Sequence, residues 1–131
     1  MDIGLFKEML SVDSTSGKER GLADLLADRF RTGCNKVGRF DVPSISGAVP
    51  DGAGLPQNIL FSWGDPKVLF CSHLDTVPPY ISPDFGEAEK GSGRGTCDAK
   101  GQLFAMWEAC KSLESKGYEG FGLLLLAGEE I

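Results

Sequence analysis

Two short apolar runs constrain this chain more than any other feature. Residues 67–73 carry Val68, Leu69, Phe70 and Cys71 in succession, and residues 121–127 carry Phe121, Leu123, Leu124, Leu125 and Leu126. A strand with one wet face alternates apolar and polar residues, so an unbroken apolar run implies burial on both faces. Neither run approaches the roughly 18 residues that a membrane span requires. Between them, residues 99–116 place Leu103, Met106, Trp107, Cys110 and Leu113 at helical spacing. Strand, amphipathic helix and strand in that order predict an α/β fold: a three-layer α/β/α sandwich around a mostly parallel or mixed sheet.

The rest of the chain fits that frame. Residues 2–10, with Ile3, Leu5, Phe6, Met9 and Leu10, suit a short helix. Ser16 followed three residues later by Glu19 has the form of a capping box opening a helix over 18–31, with Leu22, Leu25, Leu26 and Phe30 on one face and Gly33 ending it. Strands are expected over 36–42 and 58–63, separated by a Gly/Pro-rich loop at 43–56. Gly64-Asp65-Pro66 makes a turn, and a long loop spans 74–97.

Composition narrows the functions. With 131 residues the chain supports one core and not two. Thirteen Lys+Arg against nineteen Asp+Glu give a net charge of −6, unsuited to a phosphate backbone, so no nucleic-acid partner is expected. Met1 to Lys7 lacks the basic and apolar regions of a signal peptide, and no run is long enough for a membrane partner. The four cysteines form no C-x-x-C pair, and reduced thiols in a cytoplasmic setting are the simpler expectation.

Three groups of chemically capable residues fall just beyond strand ends, where open α/β sheets collect their ligands. His73 and Asp75 close the strand at 67–73 and share a face. A carboxylate there can orient an imidazole that binds a metal. Asp98 follows the glycine-rich stretch Gly91 to Gly95 and precedes a helix. Glu129 and Glu130 follow the strand at 121–127 through Gly128, where adjacent carboxylates repel unless a cation or water compensates. Each has a plainer use: a surface hydrogen-bonded pair, a helix N-cap and a solvated strand exit. The set of one imidazole and several carboxylates suits Zn, Mn or Co better than a thiolate site would. The glycine-rich stretch has neither Rossmann spacing nor a P-loop ending.

Taken together, His73-Leu74-Asp75-Thr76-Val77-Pro78, then Gly93-Arg94-Gly95-Thr96-Cys97-Asp98-Ala99-Lys100-Gly101, then Gly128-Glu129-Glu130 closely resemble the M20 family of metallopeptidases and deacylases. That family includes acetylornithine deacetylase, succinyl-diaminopimelate desuccinylase and related carboxypeptidases. The resemblance implies a zinc-exopeptidase-like fold and two divalent ions, zinc first, with cobalt or manganese as alternatives. It implies that His73 ligates one ion with Asp75 clamping its ring, Asp98 bridges both, and Glu130 ligates the other. Glu129 is then the general base acting on metal-bound water. It also implies a small-molecule N-acyl amino acid as substrate, with Thr76-Val77-Pro78-Pro79-Tyr80 leaning toward an acetylornithine deacetylase-like protein.

The chain departs from the family by having one histidine. The second metal-binding histidine, a further carboxylate ligand and the inserted domain that forms a homodimer are expected to lie outside residues 1–131. Those residues are expected to be the N-terminal part of a catalytic domain, inactive alone. The alternatives are a noncatalytic fragment with weak metal binding and a related M20 carboxypeptidase or dipeptidase.

Overall fold

A computed structural model describes residues 1–43, 54–86 and 91–131. Most of the Gly/Pro-rich loop expected at 43–56, and part of the long loop at 74–97, lie outside the described residues. Helices α1 (Ile3–Ser11) and α2 (Arg20–Arg29) precede strands β1 (Lys36–Asp41), β2 (Gln57–Trp63) and β3 (Val68–His73). Helix α3 (Lys100–Ser115) and strand β4 (Phe121–Leu126) follow.

The strands form one sheet in the order β1-β2-β4-β3. β3 and β4 are parallel, while β1 with β2 and β2 with β4 are antiparallel, so the sheet is mixed. The parallel pair is joined through α3, the connection such a pair requires. Because β3 and β4 run the same way, their C-terminal ends reach the same sheet edge, with His73 opposite Leu126. This one pairing places the His-x-Asp and Glu-Glu groups side by side.

All three helices pack on one face of the sheet. Ile59, Phe61 and Trp63 of β2 stand opposite Leu125, Leu123 and Phe121 of β4. These six residues are buried in one cluster with Leu5 and Met9 of α1, Leu22 and Leu26 of α2, and Leu103, Phe104, Trp107 and Cys110 of α3. Aromatic stacking tightens it, with Phe30 on Trp107 at 4.0 Å and Trp63 on Phe121 at 4.7 Å between ring centroids. The described residues thus supply two of the three expected layers.

The opposite face carries Phe40, Leu60, Leu124, Leu69 and Cys71, with no helix over it among the described residues. The expectation that residues 67–73 form a buried strand is corrected here. Val68 and Leu69 are more than half exposed. Among the described residues β3 has β4 as its one neighbour and nothing over its outer face, so its apolar run reports a surface that those residues leave open.

The start of α2 is a second correction. Its N-cap is Glu19, with no side-chain capping bond, and Ser16 is engaged elsewhere. The Glu19 carboxylate is buried with no hydrogen-bond partner among the described residues. The helix ends at Arg29 with Phe30 as C-cap, before Gly33 is reached. No helix among the described residues is long and apolar enough to cross a membrane, and all four cysteines are free.

Candidate functional site

The site is assembled at the shared end of β3 and β4. Pairing continues one step past β3, where the Leu74 amide donates to the Leu126 carbonyl at 2.7 Å. Asp75 then turns inward and is fully buried. Its carboxylate accepts three hydrogen bonds: the Glu129 amide at 3.0 Å on Oδ1, and the Glu130 amide at 2.9 Å and the Ser16 hydroxyl at 3.0 Å on Oδ2. Three donors offset the desolvation of a buried carboxylate. Gly128, at φ 73°, turns the chain so that the two successive amides face it. A side chain would strain that left-handed conformation.

His73 presents both ring nitrogens to oxygen. Nδ1 lies 2.9 Å from the Asp75 backbone carbonyl, with the Asp75 carboxylate farther off at 3.5 Å. A carbonyl only accepts, so Nδ1 carries the hydrogen, and Nε2 points out of the sheet edge. The carbonyl of Asp75 orients the ring more directly than its carboxylate does. The carboxylate instead anchors the Glu129-Glu130 turn, a task that sequence spacing gives no sign of.

Nε2 lies 3.1 Å from Asp98 Oδ1 and 3.9 Å from Glu129 Oε2. Asp98 is not the N-cap of α3: that position is Ala99, without a side-chain capping bond. The Asp98 carboxylate is 67% exposed and turned toward the imidazole. In the first turn of α3, Gly101 leaves no room for a side chain, since a Cβ there would stand 2.1 Å from the Thr96 carbonyl oxygen.

Donor atoms of His73, Glu129 and Glu130 all lie within 4.8 Å of one another. His73, Asp98, Glu129 and Glu130 therefore gather in one place, with Asp98 reaching the group through His73. Among the described residues, no lysine or arginine forms an ion pair with Asp98, Glu129 or Glu130. Burial disfavours charge on the His73 ring. The hydrogen bonds to the Asp75 carbonyl and the Asp98 carboxylate, with the charges of Asp75 and Glu129, outweigh it and hold the ring above its ordinary 6.5. The site thus attracts positive charge to the atom that faces outward.

Residues 69–131 match the Peptidase family M20/M25/M40. A probable carboxypeptidase from Aspergillus terreus is 32% identical over 98% of this chain and 31% of its own length. A LysW-lysine/LysW-ornithine hydrolase from Saccharolobus islandicus is 46% identical over 48% of this chain and 18% of its own length. The fold matches a tripeptidase from Staphylococcus aureus with a TM-score of 0.72 at 22% identity, covering 98% of this chain and 36% of that one. The chain thus spans about a third of the length of the A. terreus carboxypeptidase. The fold also matches an aminopeptidase from Bacillus cereus with a TM-score of 0.69 at 26% identity, covering 98% of this chain and 36% of that one.

Proposed function

We propose that this chain is the N-terminal part of the catalytic domain of an M20 metal-dependent hydrolase that cleaves a linear amide bond. The observation that carries the reading is the gathering of His73, Asp98, Glu129 and Glu130 at one sheet edge without a lysine or arginine partner among the described residues. Carboxylates brought around an imidazole repel one another unless a cation joins them, and this donor set fits a hard or borderline divalent ion.

His73 Nε2, Asp98 and Glu130 would hold such ions, zinc first and cobalt or manganese next. A bound ion supplies Lewis acidity toward the amide carbonyl and lowers the pKa of water beside it. Glu129 has its carboxylate in the same space as Nε2, where it takes a proton from water and passes it to the departing amine. Asp75 holds the backbone of Glu129 and Glu130 by their amides, so that base and ligand keep a fixed relation to the ring.

The proposed substrate is an N-acyl amino acid, with no nucleic acid or membrane partner, acted on by a longer cytoplasmic homodimer. A second reading, a carboxypeptidase acting on short peptides, is favoured by the A. terreus relative, which aligns with nearly the whole chain. The longer protein carrying this segment, assayed on N-acetyl amino acids and on N-blocked dipeptides, separates the two.

The test of mechanism is Glu129→Gln in that longer protein. Turnover should fall by about 10²–10⁴-fold while metal content holds, because the change removes a base and not a ligand. Loss of metal in proportion to activity would make Glu129 a ligand instead.

A further inference from the structure

The segment from Val12 to Ser16 is strapped against the chain that leaves β3. The Thr76 amide donates to the Ser14 carbonyl at 3.0 Å, and the Ser16 amide donates to the Thr76 carbonyl at 3.1 Å, a short parallel bridge. The buried Ser14 hydroxyl donates to the Leu74 carbonyl at 2.8 Å. From the other side, Lys100 Nζ donates to the Val12 carbonyl at 2.6 Å, tying the strap to the first turn of α3 just past Asp98. The strap thus contacts the backbone on both sides of Asp75 and ends with Ser16 over its carboxylate.

We propose that Ser16 is a positioning residue: through Asp75 it sets the Glu129-Glu130 turn in register with His73. The inference rests on the metal-hydrolase reading for its consequence, though not for its geometry. Asp75 Oδ2 accepts from Ser16 and from the Glu130 amide together, and Oδ1 accepts from the Glu129 amide. A carboxylate can turn about its last bond. Two amides from one turn do not fix it by themselves, because turn and carboxylate can swing as a unit. The Ser16 hydroxyl comes from a segment distant in sequence and held by its own bridge, and it removes that freedom. Ser16 touches none of the reacting groups, so its effect passes through Asp75.

Ser16→Ala and Ser16→Thr in the 131-residue chain test this by two readouts. The first needs no metal: hydrogen exchange of the Glu129 and Glu130 amides. Ser16→Ala should speed it about tenfold, the weight of one hydrogen bond to a charged group, while β2 and β4 amides keep their protection. Ser16→Thr, which retains the hydroxyl, should restore the slow exchange. The second is Co²⁺ binding followed by visible absorption. Its affinity should drop about tenfold or more in Ser16→Ala, as for other outer partners of a metal site, and recover in Ser16→Thr.

Unchanged exchange at Glu129 and Glu130 in Ser16→Ala overturns the proposal, as does failure of Ser16→Thr to restore it, which would assign the effect to packing. If neither the unsubstituted chain nor the longer protein carrying it bound Co²⁺, the metal-hydrolase reading would fall, and the exchange data would still decide the role of Ser16.

Discussion

At the scale of single residues, Asp75 does more than its place beside the histidine suggests. It contributes a carbonyl to the ring and a carboxylate to two amides and a hydroxyl. In Asp75→Asn, one of the two side-chain positions becomes a donor. Whichever way the amide is turned, that donor meets another donor: the Glu129 amide on one side, or Ser16 and Glu130 on the other. The substitution should cost about 1–3 kcal/mol of stability, the penalty for an unsatisfied buried polar group, measured as a shift in urea midpoint. Metal affinity should weaken by about 10–100-fold, measured by calorimetry. An Asp75→Asn chain with unchanged midpoint and unchanged affinity would show that the carboxylate anchors nothing.

At the scale of elements, Lys100 joins the start of α3 to the strap before α2, and its burial gives that joint a pH dependence. Burial lowers its pKa from 10.5 to about 8, opposed by the charge of Asp13. The folded chain releases this proton near pH 8, while the unfolded chain keeps it until about 10.5. Between these values the unfolded state binds more protons, so the lysine makes stability rise with pH. Cys110 acts in the opposite sense. Burial raises its thiol from 9.0 to about 11, so over that interval the folded state keeps the proton and stability falls. The lysine contribution is therefore cleanest between about pH 8 and 9. Urea midpoints there should rise with pH in the unsubstituted chain relative to Lys100→Met, and parallel curves for the two would contradict the assignment.

Much of this element layout is legible in the sequence. The periodicity of Leu103, Trp107 and Cys110 marks α3, and the leucines at 123–126 mark the central strand β4, each within a residue or so of its ends. Two features are not legible, for physical reasons. An apolar strand reads the same whether its cover lies in this chain or elsewhere, so β3 looks buried in sequence and is open in the fold. A serine three residues before a glutamate satisfies a local capping pattern, yet the hydroxyl of Ser16 finds a buried carboxylate distant in the chain. The gathering of site residues follows from strand ends, while the bonds from Asp75 to the Glu129-Glu130 turn depend on the parallel register of β3 and β4, which no local pattern specifies.

At the scale of the whole molecule, the described residues form two layers, and the outer sheet face displays Phe40, Leu60, Leu69 and Leu124. An apolar face flanked by an edge of β3 that is unpaired among the described residues favours association. Expressed alone, the 131-residue chain should self-associate in sedimentation, and Leu69→Lys should shift it toward monomer by charging both edge and face. A monomer at all concentrations would show that the face is tolerated by water. The same chain should show no amidase activity on N-acetyl amino acids with added Zn or Co, because His73, Asp98 and Glu130 leave each of two ions fewer than the three protein ligands of a catalytic zinc. Turnover above a Glu129→Gln control would contradict that.

The central claim is that His73, with the carboxylates around it, forms a metal centre. Co²⁺ titration of the longer protein carrying this chain and of its His73→Ala variant, followed by visible absorption, tests it most directly. The account predicts saturable binding by the unsubstituted protein, strengthening as pH rises and the imidazole loses its competing proton. It predicts that His73→Ala weakens binding by more than the ~10–100-fold expected for an outer partner. No saturable binding, or identical titrations for the two proteins, would contradict it.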